Sequence, residues 1–239
     1  MKKANLKKDG LIIRIPLAIG MAGIIFLFST LVMDRLVEDS EFIRSITFIR
    51  RTSRHTTMLI LSLGLILLVN RGRLTGYGFR WSRQIHFVRL IAYSLLLSLA
   101  GNLAAHVFDL APRRVFGFAA QPLLDKMVYL WVWSSISEEV FTRGFIQGYL
   151  DTFRHIGIKI NRLFFSVPVI TGALIFGGMH FILLTFGIEF IRVLYLVLLT
   201  TLLGLFAGYQ KERTNSLVAA VTIHLFFNMG GSLYGLLTL

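Results

Sequence analysis

WVWSSISEEVFTRGFIQGYL, residues 131–150, is long enough to cross a bilayer, yet its middle holds two adjacent carboxylates and an arginine. About 20 predominantly apolar residues span the hydrocarbon core as a helix, and a charge near its centre costs at least about 2.5–3.5 kcal/mol. Glu138, Glu139 and Arg143 therefore need a reason to be there. On a helix Glu139 and Arg143 are four apart and share a face, so they can form an ion pair that lowers the cost of burying both. Glu138 lies about 100° round the helix. It is left without that partner, which makes it the candidate general base for taking a proton from water. Two blander readings stand beside this one: both glutamates as glue between helices, or the stretch as an exposed loop.

Similar apolar runs lie on both sides, at approximately 11–33, 56–70, 85–111, 163–186, 188–209 and 215–239. With 55% hydrophobic and only 15% charged residues in 239, and a mean hydropathy of +0.72, the chain belongs in a bilayer. The expected architecture is all-α, a polytopic transmembrane bundle of about seven (six to eight) spanning helices in one membrane domain. Residues 1–120 would supply N-terminal helices without specific motifs, and residues 121–239 the core that carries the chemistry. Lys2, Lys3, Lys7 and Lys8 precede the first run, which is too long for a signal-peptide core and has no small-x-small cleavage site after it. It reads as a first spanning helix with Pro16 in its opening turn. Residues 34–55 read as an interfacial amphipathic stretch, and Gly187–Arg192 as a tight hairpin between runs five and six, with a single long bent element as the alternative.

The chain has no cysteine and a net charge of +13. The first fact removes disulfides, thiolate metal sites and cysteine nucleophiles. The second does not point to nucleic acid, because the basic residues lie between apolar runs, where they orient helices and meet anionic lipid headgroups. Arg71, Arg73, Arg80 and Arg83, then Arg154, Lys159 and Arg162, then Lys211 and Arg213 alternate onto the side of the N-terminal lysines. The positive-inside rule makes that side, and the N-terminus, cytoplasmic in a cell membrane.

Other polar groups sit inside the apolar runs. FGGMH ends in His180, after Gly177 and Gly178, which permit close approach of a helix or substrate backbone. HLFFN places His224 and Asn228 four apart on one face. With the glutamate run, three helices bring polar groups that could converge on one water-filled pocket. In the third run Asn102, His106 and Asp109 share a face, the best support for a rival reading as an ion- or proton-coupled transporter. Their bland reading is a polar network near the wet end of the bundle. Gly144/Gly148 and Gly204/Gly208 have the spacing of close helix contacts, compatible with a catalytically silent scaffold or immunity protein.

The order Glu138-Glu139-x-x-x-Arg143, Phe176-x-x-x-His180, His224-x-x-x-Asn228 resembles the three motifs of the CPBP family. These are the type II CAAX prenyl endopeptidases and the bacteriocin-processing or self-immunity membrane proteins. Arg143-Gly144 is similar to the family's continuation, whereas Thr142 stands where an aromatic is common. The resemblance covers roughly residues 120–239. It implies an intramembrane endopeptidase acting on membrane-embedded or lipid-anchored peptides or proteins. Glu138 would activate water with help from His180, His224 and Asn228 would form the oxyanion hole, and Glu139 and Arg143 would support them. No cofactor is expected, since HExxH is absent and the resemblance implies glutamate-activated water without metal; if zinc were used, Glu138, His180 and His224 would be its ligands. The serine GxSG and aspartate GxGD patterns of other intramembrane peptidases are missing as well.

Overall fold

The computed structural model describes residues 2–111 and 122–237; the boundary expected between residues 120 and 121 lies outside them. Helix α1 (Lys2–Leu27) runs through a wide i→i+5 turn at Phe28–Val32 into α2 (Met33–Asp39), and α3 (Glu41–Ser45) leads to α4 (Thr47–Val69). After a loop come α5 (Phe87–Val107) and α6, a continuous helix over 123–149. A two-stranded antiparallel hairpin, β1 (Gly157–Ile160) and β2 (Leu163–Ser166), precedes α7 (Val167–Gly178), which tightens into a 3-10 segment, Met179–Phe186. Helices α8 (Phe190–Thr214) and α9 (Leu217–Leu237) complete the bundle.

Six of these segments are long and apolar enough to cross a membrane: Gly10–Asp39, Arg51–Val69, Phe87–Val107, Val167–Phe186, Phe190–Thr214 and Leu217–Gly235. Helix α6 carries the charges but packs inside the bundle against α4, α7 and α9. Among the described residues the candidate spans number six, against about seven expected. The chain is an all-α multi-pass membrane protein.

Local chemistry sets the ends of the elements. Ser166 caps α7 by accepting a hydrogen bond from the Val169 amide at 3.3 Å, with Pro168 in the first turn. Gly187 turns the chain back at φ 75°, where glycine avoids the strain an L side chain would carry. The hairpin expected between runs five and six is therefore present. At the opposite end the Leu217 amide donates to the Gly78 carbonyl at 2.8 Å, Arg80 Nε to the Asn215 carbonyl at 3.1 Å, and Ser166 Oγ to Glu212 Oε2 at 2.6 Å. These bonds gather the 70–86 loop, the β-hairpin and the α8–α9 turn, with their basic residues, at one end.

Four expectations change. Pro16 lies in the interior of α1, not in its opening turn. Residues 34–55 are not one amphipathic stretch: they form most of α2, all of α3 and the first turns of α4, and a span begins at Arg51. Residues 163–166 are strand, because the basic loop before them folds back as a hairpin turning at Asn161, φ 52°. Asp109 shares no helical face with Asn102 and His106, because α5 stops at Val107. Asp109 sits beyond it at φ 52° and meets Arg192 Nη2 at 3.2 Å.

The glycine pairs face inwards. A Cβ on Gly148 would lie 2.4 Å from the Tyr77 ring, and one on Gly204 would lie 2.9 Å from both the Ala173 Cα and Arg143 Nη2. Gly177 is tighter, with Thr201 Oγ1 at 2.0 Å and the Val197 carbonyl at 2.8 Å from such an atom, whereas its neighbour Gly178 meets nothing within 4 Å. Gly177→Ala is therefore expected to cost about 1–3 kcal/mol, as overpacking does, and to lower the thermal midpoint in detergent. Gly178→Ala should leave the midpoint near wild type; equal effects would contradict this packing of α7 on α8.

Candidate active site

Helix α6 is wide, with i→i+5 hydrogen bonding, over Lys126–Ser134 and Val140–Ile146, and returns to α-helix only at Ser135–Glu139. Such departures from the regular ladder are frequent at functional sites. Here they flank the two glutamates, which point in different directions.

Glu139 faces the interior with Arg143, and both side chains are fully buried. Arg143 Nη1 donates to Glu139 Oε1 at 2.9 Å and to Thr142 Oγ1 at 2.7 Å. Among the described residues Arg143 Nε and Nη2 and Glu139 Oε2 have no hydrogen-bond partner, so the pair is incompletely satisfied there. A buried pair of this kind stabilises little by itself, yet losing one partner is costly. Part of the offset comes from Phe176, whose ring centroid lies 4.5 Å from the guanidinium carbon. The same ring meets His180 and His224 edge-on at centroid distances of 5.6 and 5.3 Å.

His224 Nδ1 lies 2.9 Å from Glu139 Oε1. A carboxylate only accepts, so Nδ1 is the donor. Nε2 is then directed towards Glu138 Oε2 at 3.7 Å. The other Glu138 oxygen, Oε1, is 3.1 Å from His55 Nε2 on α4. Glu138 is thus not the partnerless carboxylate expected from its position on α6. His180 Nδ1 donates to the Phe176 carbonyl at 3.1 Å, with Thr200 Oγ1 at 3.4 Å, which leaves Nε2 as the acceptor of that ring. Asn228 Nδ2 lies 3.1 Å from the Leu130 carbonyl and 3.2 Å from Ser135 Oγ, so both amide protons have partners on α6.

Glu138, His180, His224 and Asn228 all line one cavity of about 390 Å³. Glu139 and Arg143 stand behind its wall, while Asn102, His106 and Asp109 are not among its lining residues. Phe26, Arg51, His55 and Met58 also line it, so residues 1–120 contribute to the site as well as to the bundle. The sequence reading missed His55. His55 stands one residue before the apolar run at 56–70, so the rule that singled out Glu138 did not reach it, whereas in the structure the span begins at Arg51. Among the described residues no three His, Asp or Glu side chains are grouped as a metal site. Glu138, His180 and His224 do not form such a group.

Arg143→Met would leave the buried Glu139 with His224 but without its cation, an expected loss of about 3–5 kcal/mol. Thermal unfolding in micelles checks this. The double variant Glu139→Gln/Arg143→Met should recover part of the loss, because it removes both charges.

Residues 120–230 match the sequence model of the type II CAAX prenyl endopeptidase Rce1-like proteins. No curated protein and no solved structure matches the chain. The matched stretch includes all of α6, α7 and α8 and most of α9, with Glu138, His180, His224 and Asn228 inside it. Residues 120–230 are therefore similar to the type II CAAX prenyl endopeptidases of the Rce1-like kind.

Proposed function

We propose that the chain is an intramembrane endopeptidase that hydrolyses peptide bonds of membrane-embedded or lipid-anchored substrates, with Glu138 as its base. The observation that carries this reading is the Glu138 carboxylate, facing a cavity inside a membrane bundle with an imidazole nitrogen near each oxygen. The match of residues 120–230 to the type II CAAX prenyl endopeptidase model supports the reaction class.

In the proposed cycle Glu138 takes a proton from a water in the cavity, and the resulting hydroxide adds to the substrate carbonyl carbon. His180 assists by accepting from the same water at Nε2, its tautomer fixed by the bond to Phe176. The tetrahedral oxyanion is met by His224 and Asn228. His224 can donate there only when Nε2 is also protonated, as an imidazolium flanked by Glu138 and Glu139. Asn228 joins by exchanging its 3.2 Å contact with Ser135 for the oxyanion. Glu138 then passes its proton to the leaving amine as the C–N bond breaks.

The cavity wall supports an apolar substrate segment, since Phe26, Met58, Leu183 and Leu196 line it beside the charged groups. We place the chain in a cell membrane with its N-terminus and basic end cytoplasmic, where anionic lipids meet the lysines and arginines. The transporter reading loses its best support, because Asp109 lies off the α5 face and outside the cavity.

The test is purified protein in lipid vesicles with an internally quenched farnesylated peptide ending in a CAAX sequence. Glu138→Gln is expected to lower turnover by about 10²–10⁴-fold, and Asn228→Ala to lower kcat by about 10²–10³-fold, as for loss of an oxyanion donor. Cleavage at the wild-type rate by Glu138→Gln would remove the base from the mechanism. Turnover should also survive a strong chelator, whereas loss restored by zinc alone would overturn the metal-free route.

A further inference from the structure

The structure assigns His55, on α4 and outside the family-matched residues 120–230, as a positioning residue for the Glu138 carboxylate. The inference rests on the proposed hydrolytic role of Glu138 and deepens it. His55 Nε2 is 3.1 Å from Glu138 Oε1 across 83 residues of sequence. Since a carboxylate only accepts, the imidazole donates. His224 approaches the other oxygen from α9 at 3.7 Å. The carboxylate is therefore held at one oxygen from α4 and approached at the other from α9, and the lone pairs not used by His55 are left for the attacking water.

His55 is itself held in place. One residue on, Thr56 Oγ1 accepts a hydrogen bond from Trp133 Nε1 at 3.1 Å. One turn earlier, Arg51 pairs with Asp125 and lies over the Tyr129 ring, its guanidinium carbon 5.5 Å from the centroid. Three successive contacts fasten the first turns of the Arg51–Val69 span to α6 on the side that bears Glu138. A structural account would stop at this fastening. The added role of His55 follows because its donor is aimed at the proposed base, in the cavity wall, with 25% of its side chain exposed. Misplacement of a reacting group by about 1 Å can cost about 10²-fold in rate, and a glutamate side chain without this bond is free to rotate by more than that.

The experiment uses the full-length protein in vesicles with the same farnesylated peptide. His55→Phe is expected to lower kcat by about 10–100-fold with KM within about twofold of wild type. His55→Gln, which keeps an N–H donor, should restore most of kcat. Wild-type kcat in His55→Phe, or equal losses in the two variants, would overturn the assignment. A second arm does not depend on turnover. In protein carrying ¹⁵N-labelled histidine, the His55 Nε2 resonance, identified by its loss in His55→Gln, should shift when Glu138 is replaced by Gln. An unmoved resonance would refute the contact. If wild-type protein leaves the peptide uncut, the hydrolytic reading fails for this substrate, and the resonance still decides whether His55 holds Glu138.

Discussion

The buried pair of Glu139 and Arg143 is the constraint around which the bundle is arranged. Neither charge reaches solvent, and their single direct hydrogen bond does not satisfy every polar atom. The surroundings therefore have to supply the rest, and they do so with groups of the site itself. Phe176 covers the guanidinium, Thr142 takes one of its bonds, and His224 uses the same carboxylate oxygen that Arg143 does. A helix–helix contact as close as that of α7 and α8 is possible because Gly204 leaves room beside Arg143 and Gly177 leaves room beside Thr201. The cost of the two charges thus ties together α6, α7, α8 and α9.

The pair also divides labour between neighbouring glutamates. One is immobilised in the protein interior and orients a histidine, while the other is turned to the cavity. Two identical side chains acquire different environments from a single step along a helix, and only the outward one meets a space large enough for a substrate. Phe176 adds a second level of order, because one ring limits the motion of His180 and His224 at once.

Much of this was legible in the sequence because burying charge in lipid is expensive. Glu138, Glu139, Arg143, His180, His224 and Asn228 were found by asking which polar groups interrupt apolar runs, and spacing alone paired Glu139 with Arg143. What escaped depended on contacts between distant segments or on local breaks. The role of His55 depends on α4 packing against α6, with 83 residues between the partners. Asp109 fits a helical face only if α5 continues, and nothing in its apolar run announces the stop after Val107. The strand at 163–166 hides in LFFS, which is as apolar as the helix that follows. The partners of Asn228, a carbonyl and a hydroxyl on α6, leave no mark in any local pattern.

The wide turns of α6 have a consequence for how this protein can vary. Residues 126–134 and 140–146 bracket the glutamates with backbone that accommodates more residues per turn than an α-helix. Removing one residue from the first wide segment would rotate everything after it by a large fraction of a turn relative to everything before it. Asp125 would keep Arg51 only if Glu138 and Glu139 lost their partners. Insertions and deletions in this chain should therefore collect in the extramembrane loops, and the distance in residues between Asp125 and Glu138 should stay a fixed length even where the intervening side chains change.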